Sequence, residues 1–185
     1  PTYTGPGQRE AIRALVHLPA NTTLIANLPT GSGKSLLAQL PPLSAKQGAL
    51  TLVIVPTVAL AIDQGRRMAE YLAQVDAQWT DRPLSFHSGL SVEQRTSVFL
   101  ALRRGEQRVL FTSPEAATGS LRSLLIDCAR EGRISHVVID EAHLVVTWGS
   151  GFRPAFQLLP ALIASLRQAR GTDVSLPIRV VLASA

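Results

Sequence analysis

Cysteine is nearly absent from this sequence: Cys128 is the only one in 185 residues. A disulfide within the chain is thereby excluded, and no zinc site on cysteine ligands is expected in this segment. The composition suits a reducing compartment. No stretch of about 18 consecutive apolar residues occurs, which argues against a membrane-spanning helix, so no membrane partner is expected. No basic-then-apolar leader stands at Pro1, so no secretory signal is expected either. The expected location is cytoplasmic, at the nucleoid if the source is bacterial. Lysine is also scarce. Only Lys34 and Lys46 occur; the other basic residues are arginine. Internal repeats and low-complexity tails are missing.

What is present is an apolar, basic chain. Hydrophobic residues make up 46% of it, enough for one globular domain over residues 1–185. The net charge of +5 favours a polyanionic partner such as nucleic acid, although a solvated arginine-rich surface has the same composition. Apolar runs at 23–28, 50–55, 84–86, 108–112, 136–139 and 178–182 are rich in Val, Ile and Leu and mostly lack polar alternation. Strands buried on both faces of a parallel sheet have this pattern. Helix-like segments lie between them, at 7–18, 33–40, 59–73, 91–104, 119–130 and 156–170. The alternation predicts an α/β fold with a mainly parallel central sheet and helices on both faces. Ser91 with Gln94 three residues on reads as a capping box. Pro41 and Pro42 are expected to end the helix at 33–40, and residues 76–83 to form a surface loop.

The first run leads into Leu28-Pro29-Thr30-Gly31-Ser32-Gly33-Lys34-Ser35, and a helical segment follows. Strand, glycine loop and helix together make a phosphate-binding loop. Glycines let backbone N–H groups converge on phosphate oxygens, and the helix N-terminus adds positive potential there. Pro29, Thr30, Gly31, Ser32 and Gly33 would cradle the phosphates. Lys34 would reach the β- and γ-phosphates, and the Ser35 hydroxyl would bind Mg²⁺. Leu28 stands where the strict pattern has glycine. The expected ligands are ATP and Mg²⁺. A second carboxylate site is then required at the end of a buried strand, and Val137-Val138-Ile139-Asp140-Glu141-Ala142-His143 supplies one. Asp140 would hold the Mg²⁺ partly through water, and Glu141 would orient or deprotonate the attacking water. His143 would meet the γ-phosphate region or a neighbouring motif.

These segments resemble the superfamily 2 helicases, and more narrowly the RecQ-like ATP-dependent DNA helicases. Gly7-Gln8 resembles the Q motif, in which the glutamine amide reads the adenine edge. Residues 28–41 resemble motif I, and residues 55–64 motif Ia in its RecQ form. Thr112-Ser113-Pro114-Glu115 is similar to motif Ib, and Asp140-Glu141-Ala142-His143 to motif II in its DEAH spelling. Ala183-Ser184-Ala185 resembles motif III. Residues 147–156 resemble the RecQ aromatic-rich loop, with Trp148, Phe152 and Arg153 as candidate contacts to single-stranded DNA. Stacking rings and a guanidinium beside a Gly-Ser-Gly stretch suit that role. The sequence departs from the family's usual pattern at Ser150-Gly151, at Ala155, and at Gly5, where an arginine is common.

The resemblance implies a RecA-like P-loop domain, the first lobe of a helicase whose second RecA-like domain completes the ATP cleft. Motifs IV to VI have no counterpart in these residues. It also implies single-stranded or forked DNA as partner, met at phosphates by Thr57, Thr112 and Ser113, a contact that positions rather than reads sequence. The same hydroxyls are equally suited to capping helices. Three alternatives remain open: an RNA helicase lobe of the DEAD/DEAH kind, a nucleic-acid-binding module on a non-hydrolysing scaffold, and a small-molecule P-loop kinase.

Overall fold

The computed structural model describes residues 3–75, 82–144, 153–170 and 177–185. Its centre is a six-stranded sheet in the order β1-β6-β5-β2-β4-β3, and every pairing is parallel. The strands are β1 (Thr23–Asn27), β2 (Leu50–Ile54), β3 (Ser85–Phe86), β4 (Val109–Thr112), β5 (Ile134–Ile139) and β6 (Arg179–Ser184). The helices are α1 (Pro6–Val16), α2 (Leu36–Ser44), α3 (Val58–Val75), α4 (Val92–Arg104), α5 (Pro114–Thr118), α6 (Arg122–Arg130) and α7 (Leu159–Arg170), with a 3₁₀ turn over Pro154–Leu158.

Side chains on successive strand residues point to opposite faces, so a sheet covered on both sides needs two cores. Leu50, Leu52 and Ile54 of β2 belong to one, packed with Val98, Leu102, Leu125, Phe156 and Leu162. Val53 and Val55 belong to the other, with Leu15, Leu37, Met68 and Leu72. All five residues of β2 are buried, which is why the run at 50–55 shows no polar alternation. This is the doubly wound α/β architecture expected from the strand-helix alternation.

Three local differences have physical causes. Pro41 and Pro42 lie inside α2, which continues to Ser44. The proline φ is compatible with a helix, and the cost is the missing N–H bonds. Both rings are buried, and the Ser44 hydroxyl donates to the carbonyl of Leu40 at 3.0 Å. The segment expected as one helix at 119–130 is preceded by a separate short one, α5, which starts at Pro114 under the Ser113 cap. Gly119 is the C-cap of α5, its N–H donating to the Glu115 carbonyl, and a Cβ there would meet that oxygen at 2.7 Å, so the turn between the two helices needs glycine. The helix expected to start at Phe156 begins as α7 at Leu159, after the 3₁₀ turn. The Ser91–Gln94 capping box is present, with both of its reciprocal bonds formed. Most of the loop expected at 76–83 lies outside the described residues.

Candidate functional site

Because every strand runs the same way, all C-terminal ends meet at one edge of the sheet, where ligands of open α/β folds collect. β1 ends in the glycine loop and β5 in Asp140-Glu141, with β6 between them. The Leu28 N–H donates to the Ser184 carbonyl at 2.9 Å and the Ala142 N–H to the Ala183 carbonyl at 2.8 Å, so β6 fixes both loops.

Gly31 and Gly33 take φ values of +80° and +78°, in the left-handed region that a Cβ penalises. Leu36, Leu37 and Ala38 donate their N–H groups back to Gly33, Lys34 and Ser35, which turns the loop directly into α2. Ser35 is the last residue before that helix and its hydroxyl makes no capping bond. The Ser32 hydroxyl is buried without a partner, an orphaned polar atom inside the loop.

Lys34 Nζ lies 3.4 Å from Glu141 Oε1. Two motifs far apart in sequence thus face each other across β6. Glu141 itself has φ +51°, an uncommon conformation for a non-glycine residue and one that functional sites often hold under strain. Asp140 is set deeper. Burial pushes its carboxyl above the usual range, while the Gln64 amide, donating to Oδ2 at 3.1 Å, pulls the other way. Its Oδ1 accepts the Glu141 N–H at 3.1 Å. His143 Nδ1 lies 3.0 Å from the Ser184 hydroxyl and 3.5 Å from Glu141 Oε2, so the fourth residue of the motif reaches β6 and the carboxylate.

Gln8 is brought to the same loop. Its Nε2 donates to the Gly33 carbonyl at 3.4 Å, and its Oε1 accepts the Thr4 N–H at 2.8 Å. The Thr4 hydroxyl donates to the Ser32 carbonyl at 2.8 Å. Thr4 and Gln64 had no assigned role in the sequence. Gln64 lies in the motif Ia segment, but nothing in its spacing from Asp140 announces a contact made through the tertiary fold.

The residues expected to meet nucleic acid divide. Thr57 is exposed at the start of α3, where its hydroxyl accepts the Leu60 N–H at 3.2 Å. Ser113 caps α5, accepting the Ala116 N–H at 3.4 Å. Thr112 is a correction: it is fully buried, and its hydroxyl donates to the Phe86 carbonyl at 3.1 Å. That hydroxyl ties β4 to β3 and does not face solvent. Arg153 binds Glu115 through Nε at 2.8 Å and a terminal nitrogen at 2.7 Å, also bonds the Pro56 carbonyl, and lies 5.4 Å from the Phe156 ring centre. Its guanidinium links the ends of β2 and β4. Trp148 and Phe152 lie outside the described residues.

The model for DEAD/DEAH box helicases matches residues 5–185. The chain belongs to the DEAD/DEAH box helicase family. Its relatives include the ATP-dependent DNA helicase Q5 of Rattus norvegicus, 35% identical over 171 residues, which span 91% of this chain and 16% of that one. The ATP-dependent DNA helicase RecQ of Synechocystis sp. is 33% identical over 166 residues, 89% and 31% of the two chains. The helicase domain thus spans less than a third of these relatives. Among solved structures it is similar to the DUF1998 helicase MrfA, with a TM-score of 0.72 at 18% identity over 98% of this chain and 27% of that one. It is also similar to the Mycobacterium smegmatis helicase Lhr bound to ssDNA and AMP-PNP, with a TM-score of 0.65 at 25% identity over 97% and 22%. The RecA-like fold expected from the helicase resemblance is the fold observed.

Proposed function

We propose that this chain is the ATP-binding lobe of a RecQ-like DNA helicase, one that couples ATP hydrolysis to movement on single-stranded DNA. The observation that carries this reading is the meeting of Lys34 and Glu141 at 3.4 Å across β6, at the C-terminal edge of an all-parallel sheet. RecQ-type relatives at 32–37% identity support the choice of DNA over RNA.

The residues present fit a nucleoside triphosphate with Mg²⁺. The positive-φ glycines open the loop's backbone, and the orphaned Ser32 hydroxyl offers a donor to phosphate oxygen. Lys34, whose ammonium lies 3.4 Å from Glu141 Oε1, would neutralise phosphate charge. Ser35 and Asp140 would hold Mg²⁺, which ordinarily takes few protein ligands and keeps several waters. The bound ion would neutralise phosphate charge during transfer. Glu141 would orient and deprotonate the water, and His143 would pass the state of the site to β6 through Ser184. A second RecA-like domain of the full-length protein would complete the cleft. Thr57 would meet DNA phosphates at this edge of the sheet, and the family resemblance adds Trp148 and Phe152 as contacts to single-stranded DNA.

The test uses the full-length protein. ATP hydrolysis should be stimulated by single-stranded DNA more than by RNA of matched length, and Lys34→Ala should abolish it. Stronger stimulation by RNA would transfer the reading to an RNA helicase. Nucleotide binding without turnover would convert it to a non-hydrolysing module.

A further inference from the structure

The Asp140 carboxylate is held from two directions. Its Oδ1 accepts the N–H of Glu141, its neighbour in the chain, at 3.1 Å. Its Oδ2 accepts the Gln64 amide, also at 3.1 Å, from a residue 76 positions away. The first bond ties the carboxylate to the backbone that carries it. The second ties its other oxygen to α3 and so fixes the rotation of the whole group. Gln64 is a firm anchor for this. It is half-buried on the second turn of α3, among Ala61, Gly65 and Met68, all buried. A Cβ on Gly65 would meet Ser85 Cβ at 3.3 Å, so the helix lies close against β3. The chemistry of the partner matters as well. A lysine or arginine in this place would neutralise the carboxylate and compete with a cation for it. A glutamine amide donates an N–H and carries no charge, and a carboxylate has about two lone-pair sites on each oxygen. Asp140 therefore keeps its negative charge and an acceptor site on each oxygen. Residues that stand behind a metal ligand in this way orient it, and their loss ordinarily costs about 10–100-fold in metal affinity.

We propose that Gln64 is a positioning residue for Mg²⁺, holding the Asp140 carboxylate in the orientation that receives the ion and acting on the ion only through Asp140. This inference rests on the ATP and Mg²⁺ reading above and adds to it a residue of α3, the helix that starts just after Thr57 at the same edge of the sheet.

The experiment measures ATP affinity of the 185-residue chain twice by isothermal titration, once with Mg²⁺ and once with EDTA. Lys34 and the glycine loop meet the phosphates in both conditions, so a change confined to Mg²⁺ reports on the ion's ligands. Gln64→Met keeps the length of the side chain and loses the amide. It should weaken ATP about tenfold with Mg²⁺ and less than about twofold in EDTA. Gln64→Asn keeps an amide that is one methylene too short to reach, and should show the same selective loss at a position that stays polar. Asp140→Asn should show it too. Adding Gln64→Met to Asp140→Asn should then cost nothing more, because the two residues act as one unit. Equal losses in Mg²⁺ and EDTA would make Gln64 a structural residue and overturn the inference, as would a further loss in the Asp140→Asn background. Wild type that binds ATP equally well in both conditions would remove the ion from Asp140, and the inference with it. Wild type that binds ATP in neither condition overturns the nucleotide reading itself.

Discussion

Arg153 holds both carboxylate oxygens of Glu115, at 2.8 and 2.7 Å, and reaches the Pro56 carbonyl with its remaining nitrogen. One guanidinium therefore joins the segments that follow β2 and β4 to the chain just ahead of the 3₁₀ turn. A bidentate pair of this kind is worth more than a single contact, because its planar geometry is preorganised.

The pair makes a pH prediction. Burial acts to raise the Glu115 carboxyl, but hydrogen bonds from Arg153, its own backbone and Ser113 outweigh it, and the group sits below its ordinary value of 4.5. A carboxyl with a lowered folded value contributes stability above its unfolded value and loses it as pH falls through the folded one. Urea unfolding of wild type and Glu115→Gln should therefore differ most above about pH 5 and converge in more acid solution. The carboxylate is half exposed, so the gap at neutral pH should stay below about 1 kcal/mol. A gap that widened as pH fell would refute the assignment.

His136 titrates in the opposite regime. Burial, and then the nearby positive charge of Arg179, lower it from 6.5 to about 4. The folded state keeps this imidazole neutral, while the unfolded state binds the proton from about pH 6.5 downwards. The unfolded state thus holds more protons between those values, so stability rises with pH across the window. Wild type should lose roughly 2–3 kcal/mol from this group between pH 7 and pH 4. His136→Gln should flatten that part of the pH profile, measured by chemical denaturation. An unchanged slope would show that His136 is not the group responsible.

The strands were readable from sequence because full burial leaves an unambiguous mark. Residues 50–54 are apolar apart from Thr51, and every one of them is buried. Gly31, Gly33, Lys34, Asp140 and Glu141 were readable because a phosphate loop and a carboxylate at a strand tip each have a local pattern. Contacts made only by the tertiary fold leave no such pattern. Gln64 meets Asp140 because α3 follows directly on β2, the strand paired with β5, and Thr4 meets Ser32 because α1 begins beside the loop. Thr112 misleads for a related reason. A threonine at the end of a strand can face solvent or point inward, and the pairing of β4 with β3 turned this one inward. The prolines of α2 mislead differently, because the general rule against proline in helices yields where both rings are buried.

The two glycines of the loop should respond unequally to alanine. Both hold positive φ, so each substitution carries about 1–2 kcal/mol of left-handed strain. At Gly31 the added Cβ meets nothing within 4 Å, and strain is the whole cost. At Gly33 the Cβ collides with the Gln8 amide, which is itself buried and bonded. Gly33→Ala should therefore be the less stable variant in urea and bind nucleotide more weakly than Gly31→Ala. Equal losses from the two would show that Gln8 yields freely.

Lys34 and Glu141 share one contact but should fail in different ways. The pair is partly exposed, with side chains 11% and 31% accessible, so its own share of stability is small. Lys34→Ala removes the ammonium that would pair with the phosphates, and nucleotide affinity of the 185-residue chain should fall at least tenfold. Glu141→Gln keeps the size and hydrogen-bonding reach of the side chain but removes its basicity. Nucleotide binding should survive that change, whereas ATP turnover of the full-length protein should drop on the order of 10²–10⁴-fold, the usual contribution of a general base. Binding is read by titration calorimetry and turnover by phosphate release under saturating DNA. Turnover that withstands Glu141→Gln would move the base elsewhere, with the Asp140 carboxyl, raised by its burial, as the next group to test.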